Sequence, residues 1–183
     1  MAFAVEEIKG FLTHGGARSS HFSIYLSNPI NSSADFKTTF MAKAASLPPV
    51  EIGVVPFKYF GRDVKYAGDK TFPEWTVTVI NDEDFIVRNA LQDWSEAING
   101  NSSNLREFGL KPANYKSQGQ AVQWGKDGTP LCAYEFVGLW PSVVGEVEVN
   151  WDNENQIEEF PVTFQYDYWT KINAASFTKA VGL

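Results

Sequence analysis

The stretch EFPVTFQYDYW, residues 159–169, restricts this chain more than any other. Phe160, Val162, Phe164, Tyr166 and Tyr168 recur at period two opposite Thr163, Gln165 and Asp167, the pattern of a strand with one buried face. Such a strand needs partners, and EWTVTVI (74–80) offers one: Trp75, Val77 and Val79 stand against Thr76, Thr78 and Ile80. HFSIYL (21–26) offers another, with Phe22, Ile24 and Leu26 opposed to Ser23 and Tyr25. PLCAYEFVGLW (130–140) and GEVEVNW (145–151) read as further strands, and DNENQ (152–156) as the polar turn before the last one. Residues 35–60 are strand-like at both ends and broken at Pro48 and Pro49, which lack ladder donors.

A single segment carries helical spacing. Val87, Leu91, Trp94 and Ile98 form one apolar stripe over residues 83–98, with Asn81 or Asp82 as caps, acids in the first turn and Asn99-Gly100 as the exit. Residues 1–19 read as an arm in which VEEIKGFL makes a short helix, and residues 105–128 are too mixed to assign. The expected fold is therefore mainly β: a sandwich or barrel of antiparallel strands with one flanking helix at about residues 83–98. With 183 residues and no linker-like tract, one domain is expected, with an arm at 1–19, a core at 20–169 and a tail at 170–183.

Charge narrows the partners. A formal net charge of -7 opposes a duplex-gripping surface, which needs clustered cations to neutralise phosphates. The N-terminus lacks the basic leader of a secretory signal, and no apolar run approaches the ~20 residues that cross a bilayer. A soluble protein of a cytoplasm is the natural expectation.

Motifs of catalysis are missing: no G-x-S-x-G, no phosphate-binding G-x-x-x-x-G-K-[ST], no G-x-G-x-x-G and no H-E-x-x-H. Cys132 lies in an apolar strand and reads as an inert thiol, while His14 and His21 alone cannot build a zinc site. Neither a metal nor an organic cofactor is expected. Glu146 and Glu148, two apart on a strand, would share a face about 7 Å apart as in an inverting glycosidase, but any solvated strand face shows that spacing. Stacking of Trp75, Trp140 or Trp169 on sugar rings is the other alternative, opposed by their places on alternating strands.

Two longer stretches go further. KYFGRDVKYAGDKTFPEWTVTVINDEDF (58–85) and GLWPSVVGEVEVNWDNENQIEEFPVTFQYDYW (138–169) closely resemble the tail tube proteins of contractile-tailed phages of the T-even type. The cues are Ala67-Gly68-Asp69 running into Thr71-Phe72 and the Trp75 strand, the Asn81-Asp82 helix entry, the Gly138-Leu139-Trp140-Pro141 block and Asp167-Tyr168-Trp169. The resemblance implies a non-enzymatic virion protein that forms six-membered rings, stacks them into a hollow tube, and is assembled in the host bacterial cytoplasm. Its implied partners are further copies of itself, the tail sheath protein, baseplate tube-initiator proteins and, passing through the lumen, a tape measure protein and DNA, with no membrane insertion. A baseplate initiator or type VI secretion tube subunit is the alternative of the same fold.

The resemblance also gives residues 61–70 a role, as a projecting loop that meets neighbouring subunits. Gly61 and Gly68 would permit its turns, Arg62, Asp63, Lys65, Asp69 and Lys70 would set register by mixed charge, and Tyr66 would add apolar contact. Glu146, Glu148, Asp152 and Asp167, on strands with apolar opposite faces, are the expected lumen-facing acids that keep DNA from sticking.

Overall fold

A computed structural model describes residues 5–12, 14–107, 109–152 and 154–172. In chain order the elements are α1 (Val5–Phe11), β1 (Phe22–Leu26), a 3-10 turn (Ser32–Ala34), α2 (Asp35–Met41), β2 (Ala42–Ala45), β3 (Glu51–Tyr59), β4 (Arg62–Thr71) and β5 (Trp75–Ile80). They continue with α3 (Ile86–Ile98), α4 (Pro112–Tyr115), β6 (Ser117–Trp124), β7 (Pro130–Val144), β8 (Glu159–Gln165) and β9 (Tyr168–Ile172). The fold is mainly β, and every pairing is antiparallel.

The long strand β7 serves two sheets. Its first part pairs with β6 and β9, and β6 with β1. Its last residues pair with β8, which leads to β5 and then β2. Ile24, Leu26, Ala121, Phe136 and Leu139 from the first sheet and Trp75, Val77, Val79, Phe160, Val162 and Phe164 from the second share one buried core. Trp75 stacks on Phe136 at 4.2 Å between ring centroids, joining the two layers at their centre. The α3 stripe of Val87, Ala90, Leu91 and Trp94 packs into the same cluster.

The change of sheet happens at Gly138. Its φ of +73° and a register shift beside it mark a bulge that turns the strand. A Cβ there would lie 2.3 Å from the Asp167 carboxylate, so no side chain fits. Asp167 in turn donates its backbone N–H to the Val137 carbonyl and accepts from the Lys116 ammonium at 2.6 Å.

Several sequence expectations are corrected. Residues 159–169 are not one strand: the chain breaks at Tyr166 and Asp167, and Tyr168, expected on the buried face, is exposed. Residues 145–151 form no strand. Pairing with β8 runs out at Pro161, which has no N–H to give, and Gly145 closes the ladder by donating to the Pro161 carbonyl at 2.7 Å. Of the residues expected to back Glu146, Glu148 and Asp152, Val147 is half-buried against the core, whereas Val149 and Trp151 are 78% and 100% exposed, so the apolar backing is reduced to one side chain.

The principal helix begins at Ile86 rather than residue 83. Asp82 and Asp84 instead accept from the amides of Glu83 and Ile86 in a preceding turn, and Phe85 sits in the left-handed region. Asn81 is buried and pairs with Glu158 through both backbone and side chain. The start of the 35–60 stretch, read as strand-like, is the helix α2. Cys132 is half-buried rather than enclosed.

Lys37 on α2 binds Asp82 at 2.6 Å and also Asp84, fastening the two helical regions together. The Lys37 hydrogen bond holds both carboxyls below their ordinary range, and the same bonds raise the Lys37 ammonium. The link is therefore complete above the ordinary carboxyl value of about 3.9 and is lost as pH falls through the lowered values. At the alkaline end it persists to the ordinary lysine value of about 10.4 and is lost as pH rises through the raised one.

Two measurements check these contacts. In thermal unfolding across pH, Lys37→Met should lower stability by a constant amount between about pH 5 and 10, and the difference from the wild type should shrink as pH falls below the ordinary carboxyl range. In urea unfolding, Gly138→Ala should cost about 2 kcal/mol from the positive φ, and more from displacing Asp167.

Candidate assembly surface

The strands β3 and β4 pair with each other and with no other strand among the described residues, so they form a free two-stranded ribbon. Every residue of β3 is exposed, as is every residue of β4 except the half-buried Gly68. At about 3.3 Å per residue the ribbon is some 30 Å long. A lone hairpin is marginally stable at best in water, so its apolar side chains call for a covering surface.

Register sorts the side chains. Val55 opposes Tyr66, Phe57 opposes Val64 and Tyr59 opposes Arg62, which makes one face apolar with a cation near its tip. The other face alternates Val54 with Ala67, Pro56 with Lys65 and Lys58 with Asp63. Phe60 and Gly61 close the hairpin with φ of +47° and +77°, the two-residue turn that matches strand twist. The Tyr59 and Phe60 rings meet edge to face at 4.6 Å, and Phe60 is 90% exposed.

At the root the ribbon is held to the body. The Lys70 ammonium lies 5.7 Å from the centre of the Phe72 ring and 6.0 Å from that of Trp169, and Trp169 donates its indole N–H to the Pro49 carbonyl. A bulge sits just above, where a Cβ on Gly68 would come within 3.1 Å of the Gly53 carbonyl group.

The expected projecting loop at residues 61–70 is thus a strand, and its residues do not form one cluster. Arg62 and Tyr66 belong to the apolar face, Asp63 and Lys65 to the opposite one, Asp69 to the bulge and Lys70 to the root. Gly61 is in the turn as expected, whereas Gly68 is strand, kept small by close approach to Gly53. The aromatic members Phe57, Tyr59 and Phe60 were missed. Their signal is the alternation in VVPFKYFGRDVKY, residues 54–66, which runs on both sides of a Phe-Gly turn.

The acids expected in a lumen separate as well. Glu146, Glu148 and Asp152 are exposed on irregular chain at residues 145–152, which faces residues 156–159 across a concavity of about 400 Å³. Asp167 stands apart at the β8–β9 break, neutralised by Lys116. No metal-holding group of three or more His, Cys, Asp or Glu occurs among the described residues. A cavity of about 460 Å³ is lined by Phe11, Leu12, His14, Arg18, Lys126 and Asp127 among others. In it Asp127 is lowered mainly by accepting from the Thr129 hydroxyl and amide, the bonds of a turn, with a smaller contribution from the charge of His14.

Residues 17–172 match the family described as phage tail tube protein. The chain is 39% identical over 132 residues to the tail tube protein of Enterobacteria phage T4, covering 72% of this chain and 80% of that one. Its fold is shared with the sheath/tube terminator of an extracellular contractile injection system in the extended state, at a TM-score of 0.63 and 13% identity over 86% of this chain and 97% of that one. It is shared also with a chain of the six-fold symmetrised anti-feeding prophage baseplate, at a TM-score of 0.61 and 12% identity over 87% and 97%.

If the ribbon is completed only by another chain, changes on its apolar face spare the free subunit. Phe57→Ser with Tyr66→Ser should move its unfolding free energy by less than about 0.5 kcal/mol, since both side chains are exposed, while self-association falls sharply in sedimentation.

Proposed function

The chain belongs to the phage tail tube protein family, and we propose that its copies close into six-membered rings that stack around a bore for the passage of DNA. It is a structural subunit of the tube of a contractile tail, a component of the virion and not an enzyme. The ribbon carries the reading of assembly: a soluble monomer would not leave Val55, Phe57, Tyr59, Val64 and Tyr66 exposed on one face of a hairpin. In a ring each such face is covered by the next copy.

Sheath and baseplate proteins are the expected outer and terminal partners. The similar folds in a sheath/tube terminator and in a baseplate support that assignment. Inside, a tape measure protein and then DNA would occupy the bore, and assembly would take place in the host cytoplasm. For the wall of the bore we propose Glu146, Glu148 and Asp152 within residues 145–152, with Asp167 adding little while Lys116 neutralises it.

Electron microscopy of the purified chain, with and without baseplates as nuclei, tests the assembly: six-fold rings or tubes are expected, and solitary particles under both conditions refute it. A bore test uses Glu146→Lys, Glu148→Lys and Asp152→Lys together. DNA release from particles carrying them should slow at low salt and recover as salt screens the new cations. An unchanged release rate removes these residues from the wall.

A further inference from the structure

A closed ring built from one kind of chain needs a donor surface and a different receiving surface on the same molecule. The ribbon is the donor. We infer that the receiver is the exposed aromatic pair Phe36 and Phe40 on α2 together with the acidic turn at residues 82–84, and that its occupant is the apolar ribbon face of a second copy of this chain. The inference rests on the assembly proposed above and adds the contact partner.

The helix α2 is amphipathic the wrong way round. Its buried residue is Thr38, whose hydroxyl donates to the Ala34 carbonyl at 2.8 Å. Met41 at its end packs against the core, but its two phenylalanines point outward: Phe36 is 80% exposed and Phe40 68%, with their rings edge to face at 5.1 Å. Two phenylalanines one helical turn apart, paired in advance, form an apolar platform that nothing in the described chain covers. The chain's own ribbon leaves it bare, since the ribbon is itself exposed along its length.

Charge selects the occupant. Lys37 lies between the two phenylalanines in sequence and ties the platform to Asp82 and Asp84, leaving Glu83 without an ion partner among the described residues. On the ribbon, Arg62 also has no ion partner among the described residues, and it follows Phe57 and Tyr59 on the apolar face. Lys58 and Lys65 lie on the opposite face and Lys70 at the root, so Arg62 is the one cation that the apolar face carries within β3 and β4. An aromatic face ending in a free cation is complementary to an aromatic pair beside a free carboxylate.

Reciprocal charge reversal tests the pairing in tubes grown from baseplates. Arg62→Glu and Glu83→Arg should each raise the concentration needed for growth about tenfold, and the two together should restore it to within about threefold of the wild type. A double variant no better than either single one overturns the contact. In a Cys132→Ser background, Phe40→Cys with Phe57→Cys should give oxidised ladders of linked subunits from intact tubes. Monomers alone, or links to a sheath or baseplate chain instead, overturn it. Normal growth of Phe36→Ser with Phe40→Ser also overturns it while leaving the tube assignment standing. Absence of any ring or tube from the wild type strikes the assembly proposal itself.

Discussion

A strand that belongs to two sheets must turn without losing its partners, and in this molecule that condition falls on Gly138. The bulge at a positive φ lets the first part of β7 pair with β6 and β9 and its end pair with β8. Asp167 occupies the space a side chain would take, so the turn of β7 and the break between β8 and β9 are the same event seen from two strands. With the turn fixed, Phe136 comes over Trp75 and the inner faces of the two sheets meet. The stripe of α3 then closes the core. A body stiff enough to hold a long hairpin away from itself follows from that packing.

Much of this was legible. Alternation located β1, β5 and β8 because each has one face in the core and one in solvent, and Val87, Leu91 and Trp94 located α3 for the corresponding helical reason. Failures occurred where a local pattern lacked its tertiary partner. GEVEVNW alternates as well as any strand, yet Pro161 ends the ladder it would have joined. The helix α2 escaped because its phenylalanines face outward, inverting the rule by which apolar residues mark the buried side. Acids at 82–84 looked like a first helical turn, but Lys37 and the amides of Glu83 and Ile86 claim the carboxylates of Asp82 and Asp84.

The candidate assembly surface was legible only in part, for a related reason. Composition and spacing picked out the charged members Arg62, Asp63, Lys65 and Lys70, and the resemblance supplied their role, but which face each occupies depends on register across the hairpin. Strand pairing puts Arg62 with the aromatic residues and Lys65 with the polar ones, a division invisible in the linear order. Burial within one chain accounts for the core, whereas the ribbon has no second layer among the described residues.

The ribbon's bulge has a consequence for its open edges. Each ribbon strand pairs on one side alone, so two rows of backbone donors and acceptors lie open to any passing strand, the usual starting point of fibrils. The kink at Gly53 and Gly68 spoils straight edges, and Lys58, Asp63, Lys65 and Asp69 set charges along them. The bulge and the charges together oppose edge-to-edge pairing of one ribbon with another.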